Sequence, residues 1–133
     1  MQTIILLYNI KNVLENLRRR TIMTNQYLVE TLRNGSKRDY IFCIFDCLYK
    51  QYITQALFFT INSRNEIINL LKNPELLKIK MFQKAEMELI NNNIGFEDEE
   101  ILEVYNDFIE EVRTNDIYTS ALKRIDDLDD YLL

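Results

Sequence analysis

The chain has 133 residues, 47% of them apolar and 28% charged, a balance typical of a folded domain with a hydrophobic core rather than of a disordered chain. With only 2 glycines and 1 proline it lacks the turn formers that a β-sandwich or an α/β fold needs, so we expect an all-α protein. A net charge of −5 and a pI near 4.8 argue against general binding to nucleic acid.

The N-terminal residues 3–20 have the apolar spacing of an amphipathic helix that ends in a basic turn. Apolar residues come first and arginines afterwards, the reverse of a secretory signal, and polar residues interrupt the apolar run, so we expect neither a signal nor a membrane anchor. A short helix is expected over residues 25–34. Residues 1–23 are expected at the periphery of a single domain that spans residues 1–133. The apolar positions of the first helix are Leu6, Ile10, Val13 or Leu14, and Leu17.

Residues 37–62 are apolar over most of a helical circumference, which predicts the central helix of a bundle. Its aromatic residues are expected to be core. Cys43 and Cys47 lie one helical turn apart, where a disulfide would be strained, and the chain offers no histidine or further cysteine to complete a zinc site. Reduced thiols in a cytoplasmic protein are therefore expected.

Two helices should follow the central one. Ser63 and Glu66 have capping-box spacing for a helix that ends near Lys72, and Asn73 with Pro74 begins another that ends near Asn91. Gly95 is the expected left-handed residue after that helix. The residues of the second helix expected to face the core are Leu76, Ile79, Phe82, Ala85, Leu89 and Ile90.

Two acidic helices complete the chain, giving a compact bundle of about six helices around residues 37–62. The first has apolar residues on a single face, and the second begins near Asp116. Their expected core residues are Ile101, Tyr105, Phe108 and Val112 in the first, and Ala121 or Leu122, Ile125, Leu128 and Leu132 in the second.

Catalytic chemistry is scarce in this sequence. The chain contains no histidine, which removes the commonest general base and metal ligand together with Ser-His-Asp and Cys-His catalysis. The two glycines stand apart, so no glycine-rich loop is present to bind a phosphate. We therefore expect a protein that is not an enzyme and that needs no cofactor.

Paired carboxylates are the one arrangement in this sequence that could support catalysis. Glu100 and Glu103 have i, i+3 spacing on one helix, and Asp126 with Asp129, or Asp127 with Asp130, repeat it on the next. Antiparallel helices would bring such pairs together around Mg²⁺, which prefers carboxylate oxygens. The Glu-x-x-Glu pair followed by a second acidic pair resembles the helical nucleotide pyrophosphohydrolases, and the resemblance implies a Mg²⁺-dependent hydrolase as an alternative. A solvated acidic surface explains the same spacing.

The charge is distributed unevenly along the chain. Residues 1–66 hold 9 Lys and Arg against 5 Asp and Glu, whereas residues 67–133 hold 7 against 16. Such an excess favours encounter with a basic partner protein, although an ordinary solvated surface accounts for it too. The residues expected to bind that partner are Glu99, Glu103, Asp107, Glu110, Glu111, Asp126, Asp127 and Asp130.

The basic turn Arg18, Arg19 and Arg20 supplies another alternative, contact with nucleic acid or with a second copy of the chain. The leading hypothesis is a non-enzymatic protein-binding protein: an inhibitor, an immunity or antitoxin-like protein, or an assembly subunit, without a membrane contact. The abundance of Ile, Asn, Lys and Tyr indicates an AT-rich genome, as in a phage, a virus or a low-GC bacterium, whose product would act in the cytoplasm of the producing or host cell.

Overall fold

The computed structural model describes residues 36–57 and 63–132, with side chains described as far as Leu128. These residues form five α-helices and no strand, which confirms the all-α prediction. The predicted helices over residues 3–20 and 25–34 lie outside the described residues. The helices are α1 (Lys37–Leu57), α2 (Arg64–Lys72), α3 (Pro74–Asn91), α4 (Asp98–Thr114) and α5 (Asp116–Leu132).

Helix α1 is the centre of the fold, as the sequence predicted. It contacts each of the four other helices in the described part of the chain. Because its apolar residues extend around most of the helix, it can bury a different strip of side chains against every neighbour. Residues 58–62, which the prediction included in this helix, lie outside the described residues. The buried apolar residues of α1 are Tyr40, Ile41, Cys43, Ile44, Phe45, Tyr49, Ile53, Ala56 and Leu57.

Aromatic rings join α1 to the two C-terminal helices. Phe108 of α4 packs edge-on against Tyr49 of α1, with ring centroids 5.6 Å apart. Tyr118 of α5 meets the same Tyr49 ring at 5.3 Å, also edge-on. Edge-to-face rings at these distances add stabilisation beyond the area they bury. Tyr40, Phe45 and Tyr49 of α1 are buried in the core, as expected, and Phe42 and Tyr52 are partly buried against it.

Helices α4 and α5 bury the faces that the sequence predicted. All four predicted residues of α4 are buried, and Ala121, Ile125 and Leu128 of α5 are buried too. The side chain of Leu132 lies outside the described part. Buried Val104 and Tyr118 were not predicted.

The predicted inner face of α3 was only partly correct, because Ala85 and Leu89 are buried as predicted but the other four residues are not. Leu76, Ile79 and Ile90 are exposed, and Phe82 is only partly buried. The helix has apolar residues on two opposite sides, so periodicity alone could not decide which side meets α1. The residues that do face the core are Leu77, Met81, Ala85 and Leu89.

The helix ends were predicted with mixed success. The Asn73 side chain accepts a hydrogen bond from the N–H of Leu76 at 3.2 Å, which confirms the cap of α3. Ser63 precedes α2 as predicted, but its side chain makes no capping hydrogen bond. The left-handed residue after α3 is Asn93, with a φ of 58°, and not Gly95. Asparagine tolerates this conformation better than other non-glycine residues.

None of the five described helices is long and apolar enough to cross a membrane.

Candidate partner-binding surface

Helix α4 separates its apolar and acidic residues onto opposite sides. Ile101, Phe108 and Val112 face the core, whereas the carboxylates point outward. The side chains of Glu103 and Glu110 are 72% and 68% exposed. We call the outward set the acidic face; it consists of Glu99, Glu103, Asp107, Glu110 and Glu111, all of which are exposed. The sequence prediction of an outward acidic helix surface therefore holds for these residues, while its role in binding remains a prediction.

The beginning of α4 is fixed to the beginning of α1. The ammonium group of Lys37 lies 2.7 Å from a carboxylate oxygen of Glu100 and donates to the carbonyl of Gly95 at 3.0 Å. The backbone N–H of Glu97 donates to the other Glu100 oxygen at 2.9 Å. The hydrogen bond from Lys37, and then that from Glu97, hold the pKa of Glu100 below its ordinary value. Glu100 thus orients the helix that presents the acidic face.

Arg38 of α1 reaches over the acidic face. Its guanidinium pairs with Asp107 and lies 3.7 Å from the carboxylate of Glu103. All three side chains are more than half exposed. Exposed ion pairs of this kind contribute only ~0–1 kcal/mol, so a partner's cations can replace Arg38 at little cost. No local pattern predicted the contact of Arg38 with Asp107, because the two residues are 69 positions apart.

The acidic residues of α5 lie against other bases. Asp126 lies 3.4 Å from the ammonium group of Lys72 on α2, and Asp127 lies 3.5 Å from Arg124 on its own helix. The side chain of Asp130 lies outside the described part. Asp126 and Asp127 lie on α5 and are therefore not part of the acidic face, which is defined on α4.

Of the proposed metal ligands, the three whose side chains the structure describes, Glu100, Glu103 and Asp126, do not form a metal-binding group. Glu100 and Glu103 contact Lys37 and Arg38 of α1, whereas Asp126 contacts α2. The side chain of Asp129 is outside the described range. Among the described side chains, no group of three or more His, Cys, Asp or Glu residues has an arrangement that could hold a metal ion. The hydrolase alternative stays an untested prediction without support from this geometry.

The thiols of the two cysteines are poor nucleophiles. Cys43 is buried and Cys47 partly so. Burial, and then the neighbouring thiol and carboxylates for Cys43 and Asp46 for Cys47, raises the pKa of each thiol to about 11. Since the thiolate is the reactive form, both side chains are expected to be inert near neutral pH.

The remaining predicted site, Arg18, Arg19 and Arg20, lies outside the described residues. Comparisons of the chain with protein-family models, with curated proteins and with solved structures find no match. By its own fold, the described part of the chain is a helical bundle with an acidic outer face on α4.

Proposed function

We propose that this protein acts by binding another protein that presents a basic surface, and that the acidic face of α4 is the contact. The observation that carries the proposal is the outward position of all five carboxylates on a helix whose other side is fixed in the core. Glu99 and Glu111 are 12 residues apart, so the face is about 18 Å long, enough to meet several cations at once.

The electrostatics of the whole chain support the same proposal. The 38 residues from Phe96 onward carry 13 acidic and 3 basic side chains. A small domain needs a net charge of only about 2–8 for solubility, and this segment alone exceeds that range. A concentrated charge raises the rate of encounter with an oppositely charged protein.

The missing catalytic chemistry supports a binding role over an enzymatic one. The sequence has no histidine, and burial raises the pKa of both thiols to about 11. An inhibitor of a basic protein, an immunity or antitoxin-like protein, and a subunit of an assembly all fit this description. We place the protein's site of action in the cytoplasm, where thiols are kept reduced.

Carbodiimide coupling in extracts of the producing cell tests the proposal, because it joins a carboxylate to a partner lysine only when the two are in contact. We expect cross-linked peptides from residues 98–114 and a partner with a basic surface. Two variants test whether binding depends on the acidic face or only on the total negative charge of the protein. The acidic-face variant carries Glu99→Gln, Glu110→Gln and Glu111→Gln, and the α3 control variant carries Glu75→Gln, Glu86→Gln and Glu88→Gln.

Each variant removes three charges, and neither alters a buried side chain. The proposal requires that the acidic-face variant lose the cross-linked partner and that the α3 control variant keep it. Equal retention by both variants, or cross-links confined to α3 or α5, would overturn it.

A further inference from the structure

A cavity of about 110 Å³ lies between α1 and α4, and we call it the notch. The buried residues Ile41 and Val104 form the apolar part of its wall, and Arg38, Glu100 and Glu103 form the charged part. The notch is large enough for several water molecules, and it is accessible from solvent because Arg38 and Glu103 are more than half exposed. Apolar and acidic walls together match a side chain with an apolar stem and a cationic end, as in lysine and arginine.

The carboxylates at the notch are arranged to meet a guanidinium group. Glu100 is already bound by the ammonium group of Lys37 at 2.7 Å, so Glu103 and Asp107 supply the charge that a further cation meets. These two residues are one helical turn apart, and the guanidinium of Arg38 reaches both, pairing with Asp107 and lying 3.7 Å from Glu103. A planar guanidinium presents several N–H donors and can bond two carboxylates at once, whereas the ammonium group of lysine is a compact point charge.

We propose that the notch, together with Glu103 and Asp107, binds an arginine side chain of the basic partner, and that Arg38 holds these two carboxylates until that arginine displaces it. The inference rests on the proposed function and names the side chain that the partner supplies. Because the ion pairs of Arg38 are exposed, their exchange for a partner's ion pairs costs little. The incoming arginine also places its apolar stem against Ile41 and Val104 in the notch.

Arg38 thereby makes binding selective. A cation that only exchanges one ion pair for another gains little by replacing Arg38, since the two sets of contacts are equivalent. A partner arginine that also fills the notch gains a contact in addition to the exchanged ion pairs. Specificity is such a difference between two affinities, and an internal competitor removes the weaker of the two binding modes.

Titration of the isotope-labelled full chain with two capped tripeptides, acetyl-Gly-Arg-Gly-amide and acetyl-Gly-Lys-Gly-amide, tests the proposal by nuclear magnetic resonance. We expect the arginine peptide to shift the backbone amide signals of residues 38–41 and 100–107. It should bind at least about threefold more tightly than the lysine peptide, because a guanidinium bonds both carboxylates. Equal affinity for the two peptides, or the absence of shifts in these residues, would overturn the inference.

Three variants separate the notch from the charge of the whole protein. Arg38→Gln removes the competitor and should bind the arginine peptide about fivefold more tightly, the upper end of what exposed ion pairs contribute. Lys80→Gln, the control, removes one exposed positive charge from α3 and should change the affinity by less than about twofold. Glu103→Gln with Asp107→Asn should weaken binding at least about tenfold. All four positions are exposed, so each variant should keep the native fold.

The same affinity in the Arg38→Gln and Lys80→Gln variants would show that Arg38 is no competitor and would also overturn the inference. The cross-linked partner distinguishes this failure from a failure of the proposed function. Cross-links from α4 in the native chain, without binding of the arginine peptide, would overturn the present inference alone. Binding of the arginine peptide without any cross-link from α4 would overturn the proposed function and, with it, the assignment of that arginine to a partner protein.

Discussion

Lys50 is the more deeply buried of the two buried basic residues in the described part of the chain, with 3% of its surface exposed. Its ammonium group lies 2.5 Å from the carboxylate of Asp46 one turn earlier on α1. The hydroxyl of Tyr118, on α5, donates to the other oxygen of the same carboxylate. Asp46 and Lys50 lie one turn apart among the mostly apolar residues of α1, and the folded bundle buries the lysine.

Removing one partner of this pair should destabilise the fold. Asp46→Ala removes the carboxylate that contacts the buried ammonium group of Lys50, and we expect it to lower the free energy of unfolding by about 3 kcal/mol. Adding Lys50→Met should restore much of the loss, because an apolar side chain of similar length needs no counterion. Tyr118→Phe, which removes one hydrogen bond, should cost only about 1 kcal/mol. Urea unfolding followed by circular dichroism measures all three.

The absence of rescue by Lys50→Met would contradict this account of the pair. It would mean that Asp46 stabilises the fold through contacts other than its ion pair with Lys50.

At the scale of the helix, two caps that look alike in sequence differ in the structure. Asn73 bonds the N–H of Leu76, whereas the Ser63 side chain makes no such bond at the start of α2. Asn73→Ala should therefore lower the free energy of unfolding by about 1 kcal/mol, and Ser63→Ala by less than about 0.5 kcal/mol. Urea denaturation of the two single variants provides the comparison. Equal losses would show that Ser63 caps α2 in solution.

The helices illustrate what periodicity can determine. Phe108 and Val112 on α4, and Ile125 on α5, belong to single apolar faces, and those faces were predicted correctly. On α3 the residues Leu76 and Leu77 compete, because both sides of that helix are apolar. Only the position of α1 decides between them, and tertiary packing of that kind leaves no local pattern in a sequence.

The candidate site likewise combines features that the sequence could predict with features that depend on tertiary packing. The outward position of the acidic face follows from the buried side of α4, so it was predictable. The contacts of Lys37 with Glu100 and of Arg38 with Asp107 were not, because they join residues more than 60 positions apart. Pairing across such separations depends on how α1 and α4 are oriented within the fold.

At the scale of the whole molecule, buried thiols and phenols predict sensitivity to alkali. Burial is the main cause that raises the pKa of Cys43 and Cys47 to about 11 and that of Tyr49 and Tyr105 to about 12. The ordinary values are 9.0 and 10.0, so the unfolded chain releases these protons first. The stabilisation is complete below the lower values and is lost as pH rises through the higher ones.

The free energy of unfolding should consequently fall steadily between about pH 9 and pH 12. Urea unfolding at a series of pH values measures this decline. Tyr49→Phe removes one of the responsible phenols, so its curve should be flatter in the upper part of the range. A free energy of unfolding that stays constant to pH 12 in the native chain would show that these groups are not buried in solution.

The uneven charge is the property of the whole molecule on which the proposed function depends. Exposed charges act at long range and mainly raise the rate of association, whereas buried contacts set the rate of dissociation. At ~0.15 M salt the screening length is only about 8 Å, so such attraction weakens as salt increases. Dependence on salt therefore distinguishes a steering surface from a surface that is merely solvated.

The most direct test of the central claim is the association rate with the cross-linked partner, measured against ionic strength for the native protein, the acidic-face variant and the α3 control variant. We expect the native protein and the control to associate fast at low salt and to slow steeply as salt rises. The acidic-face variant should start slower and depend less on salt, with little change in dissociation. If the association rates of the native protein and the acidic-face variant fell equally with ionic strength, this would contradict the claim that the acidic face of α4 recruits a basic partner.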